Sequence, residues 1–88
     1  MKALLRRVVR KIRLADEYYP GLPANPWDAV SLLRREVKEY EDEVFRQEIS
    51  VDAALSELVD VIVVAVRSYL MIQKWADGKQ IVPRRKKT

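Results

Sequence analysis

An apolar segment in the second half of the chain, residues 51–76, constrains the fold more than any other feature of the sequence. Its apolar residues recur without a turn signal, and only Asp60 interrupts the run over residues 58–66. The segment is rich in β-branched residues, which favours a strand locally, but its length and flanks favour one helix of about 39 Å. A helix that is apolar on nearly all sides must be buried on most of them. In a chain of 88 residues this predicts a core shared between subunits.

Two more helices are predicted upstream of this segment. Apolar residues at helical spacing indicate a first amphipathic helix over residues 3–18, and a Pro- and Gly-rich turn over residues 19–26 follows it. Asn25 is placed to cap a second helix that begins at Pro26. That helix carries an apolar stripe expected to pack against other helices: Val30, Leu33, Val37, Tyr40 and Val44.

The third helix is predicted to be capped by Ser50 and to end before Asp77-Gly78. The predicted fold class is therefore all-α, a helical bundle of about three helices per chain that is completed by dimerisation or tetramerisation. Residues 1–78 would form a single domain, and residues 79–88 a basic, flexible tail. No segment has the length of a membrane span or the form of an export signal, so a cytoplasmic location is expected.

The absence of His and Cys excludes several kinds of active site. A Ser-His-Asp triad, a Cys nucleophile, a Cys/His zinc site and a di-iron centre with Glu-x-x-His pairs all need one of these residues. With no Cys there is also no disulfide to support the fold.

The charge of the chain is unevenly distributed. Its 17 Lys and Arg residues exceed its 13 Asp and Glu residues, but ten of the basic residues lie in residues 1–13 and 84–88. The remainder is acidic, so the net charge of +4 hides an acidic body between basic ends. The basic first helix would grip phosphate, contact a membrane surface or nucleic acid, or simply aid solubility. The basic tail is a charged end or a nucleic-acid contact.

Five carboxylates are placed where the second and third helices should meet. Glu36, Glu39 and Glu43 fall within about 60° of arc on the second helix, and Glu57 and Asp60 lie on the third. If the two helices are antiparallel and joined near residues 49–50, both sets of carboxylates lie at a similar distance from the connection and therefore beside each other. Clustered oxygen ligands without imidazole or thiol favour a hard cation, Mg²⁺ or Mn²⁺, and hence a phosphate ester or anhydride as ligand.

Each of these groups also has a simpler interpretation. The acids of the second helix would form a solvated face. Asp60, which is costly to bury alone, would pair with an arginine such as Arg34 or Arg67. Trp27 and Tyr40 would stack on a nucleobase or pack in the core.

The two carboxylate pairs carry a family resemblance. Glu36-Val37-Lys38-Glu39 and, after a gap of 17 residues, Glu57-Leu58-Val59-Asp60 followed by an apolar run resemble the signature of the MazG-like, all-α nucleoside triphosphate pyrophosphohydrolases. The resemblance covers residues 27–70, about half of the chain. Phosphoribosyl-ATP pyrophosphatase is a related family, but the Ser-Tyr and Lys-rich approach to its first Glu pair has no counterpart here.

The resemblance implies a bundle built from dimers or tetramers that converts a nucleoside triphosphate to the monophosphate and pyrophosphate in nucleotide-pool housekeeping. Glu36, Glu39, Glu57 and Asp60 would be the catalytic and metal-binding residues, with Glu43 as a fifth ligand of Mg²⁺. The ions would activate the water that attacks the α-phosphorus, and one carboxylate would orient or deprotonate that water. Trp27, Arg67 and Lys74 are the candidates for binding substrate.

The family's phosphate-gripping segment after the second carboxylate pair is poorly matched, because the third helix offers few polar residues there. A non-catalytic alternative therefore stands beside the enzyme: a helical oligomer that binds nucleic acid or another protein through its basic ends.

Overall fold

A computed structural model describes residues 1–79 as three α-helices, with no strand among these residues. Helix α1 spans Lys2–Tyr18, α2 spans Pro26–Val44 and α3 spans Val51–Lys79. The all-α prediction is confirmed. No helix within the described range is long and apolar enough to cross a membrane. The predicted tail, apart from Lys79, lies outside the described residues.

Local sequence signals account for the ends of the first two helices. The backbone N–H of Tyr19 donates to the Ala15 carbonyl at 2.8 Å and closes α1. Gly21 then adopts φ of 80°, a left-handed conformation that favours glycine, and the chain reverses there. The Asn25 side chain accepts from the Asp28 backbone N–H at 2.9 Å, so the predicted cap of α2 is confirmed.

Helix α3 starts as expected but ends later than the sequence predicts. Ser50 Oγ accepts from the Ala53 backbone N–H at 3.2 Å and caps its first turn. The prediction that α3 stops before Gly78 is wrong, because Gly78 does not take the positive φ of a terminating glycine and the helix continues to Lys79. At 29 residues, α3 is the longest element of the fold and supports the other two.

Helix α3 lies between α1 and α2. Both helices pack against it, while α1 and α2 have no Cα pair within 8 Å of each other in the described part of the chain. Contacts of Val8 with Val59 and Val63 form the main apolar cluster, with Ile12 and Ala15 packed beside it. Ion pairs show that α1 runs parallel to α3, because Lys11 meets Asp60 and Asp16 meets Arg67. The connection at residues 45–50 makes α2 antiparallel to α3.

The packing face of α2 agrees only in part with the predicted stripe, of which Leu33, Tyr40 and Val44 are half-buried. Ala29 and Glu36 are its buried residues, whereas Val30 and Val37 are exposed. The surface of α2 that contacts α3 is therefore rotated about the helix axis relative to the prediction, with Ala29 and Glu36 facing α3. Val30 and Val37 lie on a flank of α2 that neither α1 nor α3 covers. Glu36 is therefore nearer the centre of the α2–α3 contact than the periodicity predicts.

One face of α3 is left uncovered by the other two helices. Its large apolar residues recur at spacings of three, four, seven and three, the pattern of a helix-packing seam. They are exposed: Leu55, Leu58, Ile62, Tyr69 and Ile72. The chain therefore does not bury all of its apolar helix by itself.

Candidate functional site

A cleft of about 590 Å³ opens between α1 and α2, with α3 as its floor. It exists because both helices touch α3 but not each other. The cleft contains three carboxylates, three cationic side chains and apolar or aromatic residues. They are Glu36, Glu39 and Asp60; Lys11, Arg35 and Arg67; and Leu14, Ala15, Tyr18, Tyr19, Leu22, Leu32, Val63 and Val64.

Glu36 is the most buried carboxylate of the cleft, at 9 % exposure. Burial raises the pKa of Glu36, and the charges of Glu39 and Asp60 raise it further. A hydrogen bond with Glu39 acts in the same direction, while Arg35, whose Nε lies 3.5 Å from Glu36 Oε2, opposes it. Carboxylates of two helices are thus close enough to disfavour each other's ionisation.

Glu57 of α3 does not line the cleft but interacts electrostatically with its carboxylates. Its Oε2 is buried, and among the described residues no hydrogen-bond partner reaches it. Burial raises the pKa of Glu57, and the charges of Asp60, Glu39 and Glu43 raise it as well, against an opposing effect of Lys11. The convergence of all five predicted carboxylates is therefore visible in their mutual electrostatic effects.

The partner of Asp60 is Lys11 of α1. The Lys11 Nζ lies 2.8 Å from Asp60 Oδ1. The alternative that Asp60 pairs with Arg34 or Arg67 is wrong. Arg67 instead donates to Asp16 Oδ1 at 3.0 Å and to the Tyr19 carbonyl at 2.9 Å.

The chemistry of these carboxylates fits a hard cation, although their present positions do not form a coordination shell. Oxygen is the ligand that Mg²⁺ prefers, and a buried carboxylate oxygen without a donor, as at Glu57, is the kind of atom a cation satisfies. Within residues 1–79, however, no three Asp, Glu, His or Cys side chains are grouped so that they could hold an ion. Binding a cation would require side-chain rotations.

The predicted substrate-binding residues divide between two places. Arg67 lies on the cleft wall. Trp27 packs edge-to-face on Trp75, with ring centroids 5.8 Å apart. Lys74 lies in a neighbouring groove of about 480 Å³ beside the α1–α2 turn. The structure therefore brings Arg67 into the cleft with Glu36, Glu39 and Asp60, and it leaves Trp27 and Lys74 outside the cleft.

Two cations of the cleft, Lys11 and Arg35, escaped the sequence prediction. The basic first helix gave a signal for phosphate gripping, but its helical pattern alone does not show which of its six basic residues faces the acids. Arg35 has no distinguishing signal, since it is one of two adjacent arginines on α2.

Comparison of the chain with family models, curated proteins and solved structures finds no match.

Proposed function

We propose that this protein is a Mg²⁺-dependent nucleoside triphosphate pyrophosphohydrolase that acts in nucleotide-pool housekeeping. One observation carries the proposal: carboxylates of α2 and α3 meet in a cleft that cations of all three helices also line. A triphosphate with its divalent cation needs both signs of charge. The size of the cleft, about 590 Å³, lies within the range of small-molecule sites.

Glu36, Glu39, Glu57 and Asp60 are the residues that would hold Mg²⁺, with Glu43 as a further ligand. The raised pKa values of Glu36 and Glu57 support this assignment, because they reflect burial of the two carboxyl groups and, after it, the negative charge of neighbouring acids. When bound, the ion would neutralise phosphate charge and polarise a water molecule.

In this reaction the acidic and the cationic residues have different roles. One carboxylate accepts a proton from the attacking water, whose oxygen bonds to the α-phosphorus. The bond from that phosphorus to the oxygen bridging the α- and β-phosphates breaks, and pyrophosphate leaves. Cationic side chains stabilise the charge that develops on the phosphate oxygens, and Lys11 and Arg35, which line the cleft, are the candidates for this role.

The experiment is an assay of pyrophosphate release from a panel of common and modified ribo- and deoxyribonucleoside triphosphates with Mg²⁺. The wild-type chain should release pyrophosphate from at least one substrate, and Glu57→Gln should not. Glu41→Gln, which changes an exposed acid of α2, is the matched control and should retain activity. If a folded wild-type protein releases pyrophosphate from none of the substrates, the proposal is wrong.

We further propose that the protein works as a homodimer or homotetramer. The uncovered face of α3 supports this, since Leu58 and Ile62 are exposed beside other large apolar residues. Sedimentation velocity should show an assembly that Ile62→Lys dissociates, while Leu14→Lys, at an exposed position of α1, leaves it intact. A monomeric wild-type protein at micromolar concentration would contradict this part of the proposal.

The second candidate function, nucleic-acid binding by a non-catalytic oligomer, is favoured by one feature. Arg6, Arg10 and Arg13 are exposed and line a shallow groove along α1. Binding through these residues would be strongly salt-dependent. It would survive Glu57→Gln and be lost when the three arginines are replaced by Gln, whereas pyrophosphate release would show the opposite dependence on Glu57.

A further inference from the structure

The ion pair of Lys11 and Asp60 connects the first helix to the carboxylate cluster. It joins residues 49 positions apart, with side chains that are 35 % and 29 % exposed. The pair is therefore neither a freely solvated surface contact nor a sealed one. If Lys11 moves away from Asp60, water can therefore still reach the Asp60 carboxylate, which is not left as an unpaired buried charge.

Lys11 differs from the other cations that pair with the cluster. Arg35 contacts Glu36, its neighbour in sequence, and Arg46 contacts Glu43 three residues away at 3.1 Å. Those pairs are local to α2 and its C-terminal end. Lys11 comes from a different helix and also acts electrostatically on Glu57, so its charge affects the two α3 carboxylates of the cluster, Glu57 and Asp60.

A divalent cation on Asp60 would compete with the Lys11 ammonium group. Like charges repel, and the double charge of a divalent ion doubles its repulsion from the ammonium group. A lysine side chain has a flexible four-carbon stem and three donors, so it can rotate away and bind another anion. Lys11 also lines the cleft in which the phosphates would lie.

We propose that Lys11 is a tethered counter-ion that holds Asp60 in the metal-free protein and transfers to phosphate oxygens when a divalent cation takes the carboxylates. This inference rests on the proposed function and adds to the phosphate contact of Lys11 a second role, that of counter-ion to Asp60 in the metal-free protein. It predicts effects of opposite sign: without Lys11, a metal ion binds more tightly and a phosphate chain binds more weakly.

The test compares Lys11→Met with the wild-type chain in two binding measurements. Titration with Mn²⁺ alone, followed by electron paramagnetic resonance, should give about two- to five-fold tighter binding for Lys11→Met, because the ion no longer displaces a partly exposed ion pair. Titration with inorganic tripolyphosphate in saturating Mg²⁺ should give binding weaker by about ten-fold or more, because a charged hydrogen bond is lost.

Two further variants keep the outcome interpretable. Lys38→Met removes a lysine that also pairs with an aspartate, Asp42, but on the exposed face of α2, and should change neither affinity. Lys11→Arg retains the charge and should remain close to wild type for Mn²⁺. Unchanged or weaker Mn²⁺ binding by Lys11→Met overturns the inference, as does a wild-type protein that binds no Mn²⁺.

These results separate the two proposals. Tighter Mn²⁺ binding and weaker tripolyphosphate binding in Lys11→Met, with no pyrophosphate release by wild type, would support the role of Lys11 and reject the hydrolase. Pyrophosphate release by wild type, with no effect of Lys11→Met on Mn²⁺ binding, would support the hydrolase and reject the counter-ion role.

Discussion

Replacing Glu57 by Gln should stabilise the metal-free protein. The Glu57 carboxylate has a buried Oε2 that no donor reaches within the described residues, and it faces the charges of Asp60, Glu39 and Glu43. An unsatisfied buried polar group costs about 1–3 kcal/mol, and Lys11 offsets part of the cost here. The amide keeps the shape of the side chain without its charge. We expect the free energy of unfolding at pH 7.5 to rise by about 1 kcal/mol.

The pH dependence of this effect has a definite sign. Because the pKa of Glu57 is raised in the folded protein, the folded chain binds more protons than the unfolded chain at pH values above 4.5. Wild-type stability should therefore rise as pH falls from 7.5 toward 5. In Glu57→Gln the free energy of unfolding should rise less as pH falls, because the contribution of Glu57 is gone. The contribution of Glu36, whose pKa is also raised, remains.

Thermal melting at fixed protein concentration measures both effects. A change of 1 kcal/mol shifts the Tm of a domain of this size by about 4–8 °C. In EDTA, Glu57→Gln should melt above wild type. In Mg²⁺ the order should reverse, because an ion present at 100 times its Kd stabilises the folded wild type by about 2.7 kcal/mol and the variant has lost a ligand.

Glu41→Gln is the control, since Glu41 is exposed on α2 and its variant should track wild type in both buffers. If Glu57→Gln melts below wild type in EDTA, the carboxylate is satisfied in the native protein and the electrostatic reasoning is refuted. If it melts above wild type in EDTA but Mg²⁺ leaves both proteins unchanged, the reasoning stands and the metal site is rejected.

Three further substitutions test the fold by urea denaturation. Arg67→Met should lower the free energy of unfolding by about 2 kcal/mol, since the substitution removes the charged hydrogen bonds that this side chain, only 11 % exposed, makes to α1 and to the turn after it. Arg34→Met, at an exposed position, should lower it little. Asn25→Ala should cost about 1 kcal/mol by removing the cap of α2. Val59→Ala, at a position that is 2 % exposed, should lower the free energy of unfolding by about 2 kcal/mol. Val9→Ala, on the exposed face of α1, should lower it by less than half of that. Equal effects of the two substitutions would show that Val59 is not part of the core.

The local structure of the chain could be predicted from short stretches of sequence. Side-chain caps at Asn25 and Ser50 and a glycine with positive φ at position 21 depend on neighbouring residues, so the helix starts and the turn follow from short patterns. The helical phase of Glu36 and Glu39, and of Glu57 and Asp60, likewise placed the acids near the α2–α3 contact. Gly78 shows the limit, because whether a glycine ends a helix depends on the φ it adopts.

The contacts between residues of different helices could not be predicted in the same way, because they depend on how the helices pack. Ala29 and Glu36 face α3 because of the shape and charge of the α3 surface against which α2 packs. The cleft forms because α1 and α2 both contact α3 but not each other. The pairing of Lys11 with Asp60 joins residues 49 positions apart through the parallel packing of α1 on α3, which no local periodicity encodes. The physical reason is that short-range preferences set the backbone conformation, whereas the choice of ion-pair partner is made by the packing of whole helices.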